Sequence, residues 1–160
     1  MRALGTFVAA GALALLAAGA ASAHVTVWPR ESVQGARERY TVRMPNEKDV
    51  ATVRVEAQFP ADVLVSGFEQ KPGWTLEIKR APDGRIVGAV WTGSLPPTQF
   101  VEFGIAARNP KTVDSLAWKF IQTYEGDVKV EWTGAPGSNT PASVVKLNPA
   151  PPTAAPAAGH

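Results

Sequence analysis

His24 lies in the stretch ASAHVTVWP, residues 21–29, and apart from the terminal His160 it is the only imidazole in the 160-residue chain. It directly follows Ala21-Ser22-Ala23. A cut after Ala23 would give His24 a free α-amine beside its ring Nδ1, and the two nitrogens would close a small chelate ring on a metal ion. An α-amine ordinarily titrates near ~7.7–8.0, against ~10.4 for a lysine, so a metal displaces its proton far more readily at neutral pH. Nitrogen donors in a flat arrangement favour Cu(II), which also heads the affinity order of the divalent first-row ions. The plainer alternative is a solvated histidine that happens to begin an exported chain.

A chelate on one residue leaves coordination positions that want an oxygen. Glu102, in the run FVEFGI, is a candidate: in a strand Phe100, Glu102 and Gly104 share one face and Val101, Phe103 and Ile105 the other. A carboxylate in such apolar company is costly to leave unpaired. Glu102 could equally face water on an edge strand or serve an arginine such as Arg43 or Arg54. Glu56, in VRVEAQF, raises the same question more weakly. The five tryptophans, at 28, 74, 91, 118 and 132, are mostly expected in the core, where they give the largest burial per side chain. One of them could instead pack over a cation near the amino terminus.

Composition removes several other chemistries. The chain has no cysteine and two methionines, Met1 and Met44, which excludes blue-copper, iron–sulfur and thiolate-zinc sites and any thioether-rich Cu(I) site. No serine sits in a G-x-S-x-G pattern and no second histidine precedes residue 160, so a nucleophile with its base is not expected and the chain reads as a non-enzyme. A formal net charge of +2, with no basic run longer than Lys79-Arg80, gives no reason to expect nucleic acid as a partner.

The elements that must position these residues begin after residue 23. Arg2, an apolar run over residues 4–18 and the small-residue ending A-S-A form the three parts of a secretory signal peptide, so residues 1–23 are expected to be removed and the mature chain to act in the periplasm or outside the cell. The run is shorter and richer in Ala and Gly than a bilayer span requires, and no stable membrane span is expected after cleavage. Residues 24–147 are long enough for one domain with its own core. The remainder, 148–160 (NPAPPTAAPAAGH), can bury little and reads as a disordered Pro/Ala tail.

Within the domain nearly every segment alternates with period two, and no stretch sustains a helical repeat between caps. Strands are predicted over 24–27, 39–44, 52–58, 74–80, 86–92, 100–106, 115–124, 128–133 and 143–147. Asp83-Gly84 and Glu125-Gly126-Asp127 predict two tight hairpins. In the second, Trp118, Phe120, Val128, Val130 and Trp132 should face inward, with Lys119, Thr123, Lys129 and Glu131 outward. Many short strands with one inward face each predict an all-β fold, an antiparallel β-sandwich, with a closed barrel as the alternative.

The start HVTVWP, the segment WTGSLPPTQFVEFGI and the run WKFIQTYEGDVKVEWTG with its following PAS together resemble the YcnI-like periplasmic copper-binding domain, long catalogued as a domain of unknown function. The resemblance spans residues 24–147. It implies a cupredoxin- or immunoglobulin-like sandwich that binds Cu(II) through a brace made by one N-terminal histidine. On that pattern His24 supplies amine and imidazole, Glu102 an oxygen, and Trp132, in preference to Trp118 or Trp91, lies against the metal. Members of that family often continue into a C-terminal membrane helix, whereas this chain ends in the Pro/Ala tail. The implied function is carriage, buffering or metallochaperone transfer of copper ion, with other periplasmic copper proteins as donor or acceptor. Two other classes compete: a copper-dependent oxygenase, which would want a second histidine that only His160 could supply, and a metal-free secreted interaction domain.

Overall fold

The computed structural model describes residues 24–152, so the leader 1–23 and the end of the tail, with His160, lie outside the described residues. Alternation resolves into eleven strands: β1 (Thr26–Trp28), β2 (Glu31–Val33), β3 (Arg37–Pro45), β4 (Thr52–Gln58), β5 (Leu64–Phe68), β6 (Thr75–Arg80), β7 (Ile86–Leu95), β8 (Phe100–Arg108), β9 (Ser115–Tyr124), β10 (Lys129–Trp132) and β11 (Ser143–Asn148). Among the described residues no helix is long and apolar enough to cross a membrane.

Two sheets form the sandwich. A 4-stranded sheet runs β1-β3-β8-β5, and a 7-stranded sheet runs β2-β11-β9-β4-β7-β6, with β10 added on β9. One edge of β9 is shared: residues 115–118 pair with β11 and residues 120–123 with β10. The pairings are antiparallel with one exception, the parallel pair β2–β11, so the sandwich is mixed rather than wholly antiparallel. The core is the pair of facing inner rows, Tyr40, Val42, Phe103 and Ile105 from the smaller sheet against Val55, Trp91, Trp118 and Phe120 from the larger.

Both predicted hairpins form, and their glycines have the backbone the turns demand. Gly84 has φ of 84° between β6 and β7, and Gly126 and Asp127 have φ of 79° and 60° between β9 and β10. The inward row of the second hairpin is shorter than alternation suggests. Trp118, Phe120 and Trp132 are buried, but Val128 belongs to the turn and is exposed, while Thr123 is buried where it was expected outside. At that point β9 lies between β4 and β10, and Thr123 stands directly opposite Arg54 on one side and Lys129 on the other, whose longer side chains flank it on the outer face.

A buried polar chain clips β2 to the smaller sheet. Tyr40 Oη donates to Asn109 Oδ1 at 2.6 Å, Asn109 Nδ2 donates to Ser32 Oγ at 2.9 Å, and Ser32 Oγ donates to Glu38 Oε2 at 2.7 Å. Burial pushes the Tyr40 hydroxyl up from its ordinary 10.0 to about 12, and burial raises Tyr124 as well. Because the folded value lies above the unfolded one, this contribution to stability is fully present below pH 10 and is lost as the pH rises towards 12. Tyr40→Phe should therefore flatten the alkaline fall in melting temperature, leaving only the share due to Tyr124. At neutral pH it should cost about 1–3 kcal/mol, because Asn109 Oδ1 loses its donor. Thermal melts followed by circular dichroism from pH 8 to pH 12 measure both effects.

Candidate metal centre

Val25 and Val27 are buried in the core, which fixes the start of the domain against the sandwich and leaves His24 exposed just ahead of β1. The strand is held from both sides. It pairs with β3 in the register Thr26↔Arg43, and the Val27 N–H donates to Ser143 Oγ of β11 at 2.9 Å. The His24 ring meets Trp132 edge-on, with centroids 5.8 Å apart and planes at 63°.

Trp132 is itself fixed. It is 5% exposed at the end of β10, and its Nε1–H donates to Gln122 Oε1 at 3.1 Å. Gln122, fully buried on β9, donates through Nε2 to the Pro45 carbonyl at 2.9 Å and to Thr52 Oγ1 at 2.7 Å. Continuing the β1–β3 register by two residues sets His24 opposite Pro45. His24, Trp132, Gln122 and Pro45 therefore close a circuit joining the amino-terminal segment, both partners of the second hairpin and the end of β3. Trp91 and Trp118 take no part in it: Trp91 stacks on Phe103 at 4.6 Å and Trp118 packs against Tyr40 at 4.9 Å, both inside the core.

Glu102 is placed elsewhere. The row Thr26↔Arg43↔Glu102 runs straight across three strands, so β3 lies between β1 and Glu102. Two strand spacings are about 10 Å. Arg43 fills the gap, its Nε donating to Glu102 Oε1 at 2.9 Å and its Nη2 lying 2.8 Å from the same oxygen. The arginine alternative raised by the sequence is thus realised, and Glu56 follows suit with Arg54 and Lys79 at 3.1 and 2.8 Å.

The family described as domain of unknown function (DUF1775) matches residues 24–153. The chain belongs to the DUF1775 family. Among its relatives, the copper-binding protein CutI of Bacillus subtilis (strain 168) is 36% identical over 133 residues, which cover 81% of this chain and 65% of that protein. The chain thus spans about two thirds of that relative's length. An uncharacterized protein from Nocardia farcinica with an immunoglobulin-like fold superposes with a TM-score of 0.70 at 26% identity, over 78% of this chain and 97% of that one. A type I cohesin from Clostridium thermocellum, with a TM-score of 0.51 at 11% identity over 78% of this chain and 98% of its own, shares the fold alone.

One carboxylate near the circuit has no signal in the sequence pattern. Glu47 follows Pro45-Asn46 on the loop after β3, two positions beyond the residue that faces His24. The loop is rigidly held, since buried Asn46 donates to the Val50 and Leu95 carbonyls, both at 2.9 Å, and accepts the Lys48 N–H at 3.0 Å. Turn residues carry no periodicity, so only the register and the Gln122 bond to Pro45 bring this DUF1775 segment to the amino terminus. Among the described residues no group of three or more His, Cys, Asp and Glu side chains is gathered to hold a metal. His24 also borders an open groove of about 420 Å³ whose walls include Arg30, residues 136–138 and 141–142 of the loop before β11, and Val144 of β11.

Proposed function

We propose that the mature DUF1775 domain, exported and cleaved after Ala23, binds one Cu(II) at its amino terminus and carries or buffers it in the periplasm. The observation that carries this reading is the His24–Trp132 contact, which gives an otherwise solvated first residue a fixed aromatic neighbour. His24 supplies the α-amine and Nδ1, and Trp132 shields one side of the ion from water. The copper-binding name of the Bacillus relative supports the same metal. A site reached through an exposed residue suits cargo handed between copper proteins, and no second histidine lies between residues 25 and 159 to build an oxygenase-type site. The domain on this reading is not an enzyme.

Two carboxylates compete for the oxygen position. Glu102 reaches the metal only by leaving Arg43 and crossing β3, whereas the loop carrying Glu47 already adjoins the position opposite His24. The register favours Glu47. Titrating the cleaved protein with Cu(II) while following tryptophan fluorescence tests the whole site. Quenching should saturate at about one equivalent and be mostly lost in Trp132→Phe, since a single short-range quencher sits beside one indole. Glu47→Gln should weaken binding by about 10–100-fold and Glu102→Gln by much less; the reverse order would return the oxygen to Glu102. No saturable quenching in the cleaved protein would leave the metal-free interaction domain as the better reading.

A further inference from the structure

The far end of the smaller sheet carries a charge arrangement that the copper reading does not use. Arg37 and Arg108 are directly opposed in the β3–β8 register, and Leu64 of β5 continues the same row. Side chains so paired stand roughly 5 Å apart at Cβ, and like charges placed there oppose folding. Elsewhere on this face the arginines are neutralised: Arg39 by Glu69 and Arg43 by Glu102. Among the described residues neither the Arg37 nor the Arg108 side chain has an ion-pair or hydrogen-bond partner. The nearest acid in sequence, Glu38, alternates to the opposite face, where Ser32 Oγ and the Arg39 N–H hold it at 2.7 and 3.2 Å. The two arginines line a groove of about 520 Å³ with Glu38, Arg39, Ser66 and the exposed Leu64 also on its walls, the Glu38 carboxylate being held by Ser32 Oγ and the Arg39 N–H.

We infer that Arg37 and Arg108 form a binding site for a phosphate group carried on a larger body. Two planar guanidinium forks on neighbouring strands can each grip an edge of one tetrahedral oxyanion; the charge near −2 of a phosphomonoester cancels the pair, and the single charge of a phosphodiester headgroup cancels half of it. The groove exceeds the size of free phosphate, and Leu64, 51% exposed, offers an apolar contact to whatever bears the group. Arg37 lies eight strand positions from Pro45, about 27 Å at 3.4 Å per residue, so this site and the amino terminus occupy opposite ends of β3.

The mature protein, kept at low ionic strength, is titrated with inorganic phosphate and separately with vesicles of phosphatidylglycerol, using phosphatidylcholine vesicles as control. Saturable amide shifts in ¹H–¹⁵N spectra confined to residues 37–39, 64–66 and 106–108 are expected, together with a rise in melting temperature. Arg37→Gln and Arg108→Gln should each weaken the response about tenfold, as loss of a charge-assisted bond requires, while Arg43→Gln should leave it unchanged. Response to phosphate without vesicle binding assigns the site to a soluble phosphorylated ligand. Arginine-dependent binding to phosphatidylglycerol alone assigns it to a lipid headgroup. The inference fails if neither probe binds, or if Arg43→Gln weakens binding as much as Arg37→Gln, because the effect is then general attraction to a basic face.

Discussion

A single alanine left ahead of His24 should lower the affinity for Cu(II) by about 100-fold or more, beyond the 10–100-fold typical of losing a residue that only supports a ligand. The reason is electronic. In a peptide bond the nitrogen lone pair is delocalised into the carbonyl, so the residue keeps its imidazole and loses its second donor. The fold gives no reason for the extension to do anything else: His24 is exposed, and the anchoring residues Val25 and Val27 lie after it. The cleaved and extended proteins should therefore melt together without copper and separate with it. At a copper concentration 100 times the dissociation constant the cleaved form gains about 2.7 kcal/mol. Binding to the cleaved form should also weaken as pH falls, since protons and metal compete for the same nitrogens. Equal affinity in the two forms would falsify the brace.

The second large effect belongs to a residue that touches no metal. Gln122→Leu should destabilise the domain by about 3–5 kcal/mol, a large part of the 5–15 kcal/mol that holds a typical domain folded. The substitution roughly keeps the volume but orphans two buried groups, the Trp132 Nε1–H and the Pro45 carbonyl, and takes from the Thr52 hydroxyl one of its partners, leaving it with Tyr124. Each buried polar group left unpaired costs about 1–3 kcal/mol, and neighbours sharing one partner do not add fully. Copper binding should weaken by about tenfold as well, because Trp132 loses the bond that holds its ring towards His24. Urea denaturation gives the first number and the fluorescence titration the second. A loss below about 1 kcal/mol would mean that Gln122 does not hold the circuit together.

Strands with clean alternation were legible in the sequence. The bounds predicted for 52–58 and 115–124 are those of β4 and β9, and the remaining predicted strands differ from the structure only at their ends. β2 and β5 were not legible, for separate reasons. Glu31–Val33 has only three residues and owes its pairing to β11 from the far end of the chain. Leu64–Phe68 contains Ser66-Gly67 and an irregularity in its register, which breaks the period. The parallel β2–β11 pair was hidden for the first of these reasons.

What the sequence determined by itself concerns residue type and local period. The lack of cysteine, the position of His24 after A-S-A and the alternation of the strands are properties of neighbouring residues, and on an all-β frame they exclude thiolate from any metal site. Which side chains meet was decided by cross-strand register, which pairs positions dozens of residues apart. Register gave Glu102 to Arg43, brought the end of β3 towards His24 and set Arg37 against Arg108, and packing between strands drew Trp132 to His24. A shift of one residue in any of these ladders would turn each side chain to the opposite face, so no reading of a strand in isolation could have chosen among them.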